Sequence, residues 1–216
     1  MPDTGSTSER RPLVVGVTGG LAAGKSTVCA LLAAGGVPTV DADQLGREVT
    51  AAGGAAVTEL ARAFGDDVID QDGALRRDLL AARAFKDDDS RRRLEAIMHP
   101  RIAAAMAERL RELAADGHTA VVVEAALLLE RGRRDLYDLL VVVTAPEAVR
   151  LARAALRGMS EVEARRRLAH QWPDRKKIEH ADHVIENGGD RAALERRVAR
   201  LLDIIRDRVE ARQEWR

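Results

Sequence analysis

Cysteine occurs once in the 216 residues, at Cys29. One thiol closes no internal disulfide and cannot supply the cluster that a structural zinc site needs, so a reducing cytoplasm is the expected setting. Aromatic residues are as scarce: Phe64, Phe85, Tyr137, Trp172 and Trp215 are the whole set. That is too few for the stacking platforms of single-strand binders. Charge of one sign is not in excess, because 35 Lys and Arg face 35 Asp and Glu. Neither a nucleic acid nor an anionic membrane is therefore expected as partner. No apolar run approaches the ~20 residues of a membrane-spanning helix. The opening MPDTGSTSERRP has no hydrophobic stretch behind its charges. Residues 1–11 are small and polar and are expected to form a disordered leader.

What is present is a set of short β-branched runs in Ala/Leu/Arg-rich sequence: Leu13–Val17, Val37–Asp41, Thr119–Glu124, Leu139–Val143 and His183–Ile185. The first, third and fourth are nearly unbroken apolar runs, the pattern of strands covered on both faces of a parallel sheet. Helical sequence separates them, so the class expected is α/β with a five-stranded parallel sheet. The gap between Asp41 and Thr119 is far longer than a crossover needs. It reads as an inserted helical subdomain with helices at Ala55–Phe64, Leu75–Ala84, Ser90–Met98 and Ile102–Ala115, broken at Gly65, Gly73 and Pro100. A second excursion, 146–180, is helical and locally basic, with nine Arg and Lys against five Asp and Glu. It reads either as a solvated helix pair or as a lid. An amphipathic stretch at Arg191–Val209 should pack back on the sheet.

Gly19-Gly20-Leu21-Ala22-Ala23-Gly24-Lys25-Ser26 fits G-x-x-x-x-G-K-[ST] in full, between a strand and a helix pattern at Ser26–Ala34. Glycines let such a loop turn its backbone N–H groups inward onto phosphates, and the following helix adds its N-terminal partial charge. Lys25 supplies a point charge for the β- and γ-phosphates, and the Ser26 hydroxyl can ligand Mg²⁺. Gly20, Ala22, Ala23, Gly24 and Thr27 complete the expected ATP cradle. A switch GTPase would show D-x-x-G and N-K-x-D, and a motor would end a hydrophobic strand in an acidic pair. The run ending in Glu124 continues with Ala125 instead; the motif itself argues for nucleotide binding, and a small-molecule kinase is the reading favoured.

Such a kinase needs an acid near the γ-phosphate. Asp41-Ala42-Asp43 ends the second strand, at the edge where parallel sheets place ligands. In an extended stretch the two carboxylates would face one side. They could then divide proton acceptance and support of the metal's water shell. For Asp41 a helix cap is the competing reading. Arg153 and Arg157, one helical turn apart, suit a lid that covers the developing charge.

These residues resemble the dephospho-coenzyme A kinase family over nearly the whole chain from Leu13. The likeness is carried by Val17-Thr18-Gly19-Gly20 with Gly24-Lys25-Ser26-Thr27, and by Val37-Pro38-Thr39-Val40-Asp41-Ala42-Asp43 with Arg47-Glu48-Val49. Next come Asp72-Gly73-Ala74-Leu75 with Arg77, and Leu94-Glu95-Ala96-Ile97-Met98-His99-Pro100. Leu127-Leu128-Leu129-Glu130, Gln171 with Lys177, and Ala181-Asp182-His183-Val184-Ile185-Glu186-Asn187 complete it. The resemblance implies ATP-dependent phosphorylation of the ribose 3′-hydroxyl of dephospho-CoA. It implies a P-loop core (12–43, 117–145 and 181–212), a CoA-binding helical subdomain (44–116) and a lid (146–180). Asp43 would be the base, Arg157 the lid arginine, Arg153 an ATP contact, and Asp41, Arg77 and His99 acceptor contacts. His99 before Pro100 has a structural reading as well. The family's D-x-P-L-L-F-E is here Glu124-Ala125-Ala126-Leu127-Leu128-Leu129-Glu130, without the proline and phenylalanine. A shikimate-like or nucleoside-monophosphate-like kinase is the nearest alternative. A non-catalytic ATP-sensing module is the other.

Overall fold

A computed structural model describes residues 11–130, 132 and 134–214. Its sheet contains β1 (Leu13–Gly19), β2 (Thr39–Asp41), β3 (Ala120–Glu124), β4 (Leu139–Thr144) and β5 (His183–Glu186) in the order β2-β3-β1-β4-β5. All four pairings are parallel. β1, β3 and β4 are buried almost throughout, as their unbroken apolar runs require. Pro38, which donates no N–H to a ladder, lies just outside β2, the strand at one edge.

Helix α1 (Lys25–Ala34) and α9 (Arg191–Glu214) cover one face. Leu194, Val198, Leu201 and Ile205 recur at helical spacing and share a core with Val28, Leu32, Val15 and Val141. Arg11 belongs to this unit rather than to the expected leader: its guanidinium pairs with Asp138 at 2.7 Å. Residues 1–10 lie outside the described residues. Asp138 also accepts from the Val14 N–H at 2.8 Å and from Arg212 at 2.5 Å, so one carboxylate ties β1, Arg11 and the end of α9. No helix among the described residues is long and apolar enough to cross a membrane.

The chain divides into two compact units, one of residues 1–41 and 110–216, the other of 42–109. The second contains α2 (Ala42–Glu48), α3 (Val57–Phe64), α4 (Arg77–Ala84) and most of α5 (Asp88–Ala115). Its own core joins Leu60, Phe64, Val68 and Leu80, with Ile97 and Met98 against them.

Two expectations fail in this region. Residues 42–48 are helical, so Asp43 sits in the first turn of α2 and strand alternation does not relate it to Asp41. A carboxylate in a first turn complements the helix dipole, which favours this outcome. The break expected at Pro100 is absent, and α5 runs through it. A mid-helix proline removes one N–H and frees the Ala96 carbonyl. Pro100 and Ala96 are exposed, so water can satisfy that carbonyl, and the neighbouring Ala, Leu, Arg and Glu are strong helix formers.

The excursion at 146–180 folds as α6 (Glu147–Leu156), α7 (Glu161–Ala169) and α8 (Asp174–Ile178) within the first unit. Ser160 caps α7 by accepting from the Glu163 N–H at 3.2 Å. Its basic excess is largely compensated: Arg165 pairs with Glu147 and Glu161, and Arg166 and Arg167 pair with Glu163. For those three arginines the solvated reading holds.

Candidate functional site

The loop from Gly19 to Gly24 joins β1 to α1, whose N-terminus opens at Lys25. Gly24 has φ 99, and a Cβ there would come within 2.0 Å of Asn187 Nδ2, so both backbone and packing demand glycine. Leu21 and Ala22 are seated against Leu151 and Ala154 of α6 and Ala164 of α7. The Leu21 N–H donates to Gln171 Oε1 at 2.8 Å. The Ala23 carbonyl accepts from Asn187 Nδ2 at 2.9 Å and from Arg153 Nη1 at 3.3 Å. Arg153 Nη2 also donates to the Asn187 carbonyl at 2.9 Å. The loop is thus braced from α6, from the segment after α7, and from the end of β5. Lys25 Nζ donates to the Gly19 and Gly20 carbonyls at 3.2 and 3.5 Å, which holds its charge over the loop.

Beside the loop lies an acidic edge. β3 ends at Glu124, whose Oε1 accepts from Ser26 Oγ at 3.0 Å. Glu124 is in register with Val17 of β1 and with Asp41 of β2. Parallel register puts both carboxylates at the same end of the sheet, next to the loop. Cys29 lies buried behind them, and burial, then the Glu124 charge, pushes its thiol far above the ordinary range. A hydroxyl and a carboxylate are hard oxygen donors of the kind Mg²⁺ takes, its other positions being filled by phosphates and water. Ser26 and Glu124 therefore fit a magnesium nucleotide.

The expected ATP residues Gly20, Ala22, Ala23, Gly24, Lys25, Ser26 and Thr27 all fall in this loop and the first turn of α1. Arg153 joins them, half-buried. Arg157 does not. α6 ends at Leu156, so Arg157 is its exposed C-cap, and Gly158 turns the chain away at φ 78. In the second unit Arg77 donates to Thr50 Oγ1 at 3.1 Å and to the Arg47 carbonyl at 3.4 Å, which braces the segment following Asp43. His99 is exposed on α5.

Several residues carry more than the sequence reading gave them. Glu124, an acid ending an apolar strand beside a P-loop, has a sequence signal for such a role that neither the motor pattern nor the loop motif expresses. Asn187, Gln171, Glu130 and Lys177 belong to the motifs quoted above, which assign them no role. Lys177 is fully buried, and its Nζ lies 2.8 Å from Glu130 Oε1, which also accepts from the Trp172 N–H at 3.0 Å. This pair fixes the turn that presents Gln171 to the loop. Lys176 Nζ stands 3.5 Å over the Trp172 ring.

A family model described as dephospho-CoA kinase matches residues 13–193. A dephospho-CoA kinase of Anaeromyxobacter dehalogenans is 47% identical over 194 residues, covering 89% of this chain and 92% of the relative. One from Corynebacterium efficiens is 42% identical over 199 residues, covering 90% and 100%. A solved structure from Thermus thermophilus superposes with a TM-score of 0.79 at 32% identity, over 89% of this chain and 97% of that one. A dephospho-CoA kinase from Campylobacter jejuni, at 22% identity and a TM-score of 0.62 over 91% and 98% of the two chains, has the same fold.

Proposed function

The chain belongs to the dephospho-CoA kinase family, and on that basis we propose that it transfers the γ-phosphoryl group of ATP to the ribose 3′-hydroxyl of dephospho-CoA. The observation that carries the phosphoryl-transfer reading is the Ser26–Glu124 hydrogen bond directly behind Lys25, which joins a phosphate loop to a metal-supporting acid. Mg²⁺, carried with the nucleotide, would be held by Ser26 with Glu124 in support, and would supply positive charge against the triphosphate.

The acceptor oxygen forms its bond to the γ-phosphorus as the bond from that phosphorus to the bridging oxygen breaks. The electron pair of the broken bond leaves on ADP, and the hydroxyl proton passes to a carboxylate, which we assign to Asp43. Asp41 supports it from the end of β2. Lys25 and the loop N–H groups hold the triphosphate, Arg153 braces the loop that presents them, and Arg157 belongs to a lid spanning 146–180. Residues 44–116, with Arg77 and His99, take up the remainder of the acceptor. The lone buried cysteine suits a reducing, cytoplasmic setting.

A coupled assay with ATP and magnesium tests this directly. Turnover with dephospho-CoA, and none with shikimate, gluconate or nucleoside monophosphates, is the expected result. Transfer to one of those acceptors instead would sink the assignment.

A further inference from the structure

Helix α6 lays two arginines on the phosphate loop, and they differ in how their donors are used. Arg153 spends its donors on backbone carbonyls, at Ala23 and Asn187. It is a brace. Arg150, one turn earlier, is 13% exposed and makes one ion pair, Nη1 to Asp174 Oδ1 at 3.2 Å. Its Nε is buried with no hydrogen-bond partner among the described residues. A guanidinium has five N–H donors, and one left unpaired away from water is costly unless a ligand uses it.

Its position says which ligand. A Cβ on Gly20 would lie 2.3 Å from Arg150 Nη1 and 3.4 Å from Asp174 Oδ1, so the guanidinium rests on the second residue of the loop with no side chain between. That loop wraps the β- and γ-phosphates. On its other side Arg150, with Gln171, Trp172 and Asp174, lines a cleft of about 400 Å³, which leaves room to turn.

We propose that Arg150 contacts the phosphoryl group as it is transferred, leaving Asp174 for it, and that Gly20 is kept bare to let the guanidinium approach. Asp174 holds the side chain near the loop until the stronger anion arrives. The inference rests on the phosphoryl-transfer reading above but adds a residue to it, and it concerns the donor side alone. Planar, always charged and able to give two parallel hydrogen bonds, arginine suits the charge that spreads over the three equatorial oxygens.

The test compares wild type with Arg150→Gln in two titrations: ADP with magnesium, and ADP with magnesium and fluoroaluminate, which mimics the planar phosphoryl group. The readout is the gain in affinity that fluoroaluminate gives. Arginines that meet this charge are worth about 10³–10⁵ in rate. The gain should therefore fall by at least about tenfold in Arg150→Gln, with ADP affinity and melting temperature near wild type. kcat should fall with it, and Arg150→Lys should recover only part. A gain that falls by less, or a parallel loss of ADP affinity, overturns the proposal. Should Arg150→Gln not fold, Asp174→Asn decides: it should keep the fluoroaluminate gain, and a tenfold loss there overturns the role of Arg150. A wild-type protein that transfers nothing to dephospho-CoA would count against the proposed substrate, while the fluoroaluminate comparison still reports on Arg150.

Discussion

Ser26 Oγ and Glu124 Oε1 are 3.0 Å apart, one in the first turn of α1 and the other the last residue of β3. The contact orients the hydroxyl assigned to the metal, so under the proposed function Glu124 would act on magnesium through Ser26 or through bound water. Loss of such outer partners costs about 10–100-fold in metal affinity. Glu124→Gln is expected to raise the magnesium concentration for half-maximal turnover within that range. ATP binding without metal should change little. Turnover curves against magnesium for the two proteins check this, and superimposable curves would remove Glu124 from the metal's support.

Lys25→Ala should abolish transfer with the fold intact. The other lysines are Lys86, Lys176 and Lys177, and Lys177 is committed to Glu130, so no lysine of the loop takes its place. At about 1.36 kcal/mol per decade, losing several kcal/mol of transition-state stabilisation removes three or more decades of rate. Activity within tenfold of wild type, alongside an unchanged circular dichroism spectrum, would contradict the role.

Asp43→Asn is expected to lower kcat by about 10²–10⁴, the usual contribution of a general base, with the dissociation constant for ATP nearly unchanged. Asp41→Asn should do less if, as proposed, Asp41 at the end of β2 beside Glu124 supports the site and does not itself accept the proton. Parallel kinetics and ATP titrations on both variants decide. If Asp41→Asn proves the more damaging for kcat, the two acids are reversed.

Lys177 is fully buried, and its partner Glu130 is 13% exposed. Removing one member of a buried pair strands the other, a cost of about 3–5 kcal/mol. Lys177→Met alone should show that loss in urea unfolding, and adding Glu130→Leu should recover most of it. A single variant as stable as wild type would mean the pair is not desolvated in solution.

Cys29 gives a pH signature. Its thiol is raised by burial and by Glu124 far above the ordinary value of 9.0. The native state therefore keeps a proton that the unfolded chain gives up. This stability is complete below about pH 9 and declines above it by up to about 1.4 kcal/mol per pH unit. Cys29→Ala should flatten that decline. Iodoacetamide should leave the native thiol unmodified at pH 9 while labelling it fast in urea, and equal labelling in both would refute the burial.

The sheet and the phosphate loop were legible because their signals are local: unbroken Val/Leu runs for β1, β3 and β4, and a motif that sets its own glycines. Strand ends moved by a residue or two. What escaped was decided by contacts between distant segments or by competing local preferences. Ser26 meets Glu124 across 98 residues of chain, and Asn187 meets Ala23 across 164. No spacing rule reaches that far. Pro100 and the start of α2 failed differently, because punctuation by proline and strand alternation both yielded to the helical preference around them. In sequence Arg150 is one more charge of a basic stretch, and only the fold sets it over the bare Cα of Gly20.

Asp138 holds Arg11 and Arg212 on the same oxygen, while its other oxygen takes the backbone of β1. Two points some two hundred residues apart in sequence are thereby neighbours in space. A short flexible peptide could join them, and the chain could be reopened at an exposed turn such as Gly117, giving a circular permutant with the same strand order in the sheet and the same phosphate loop.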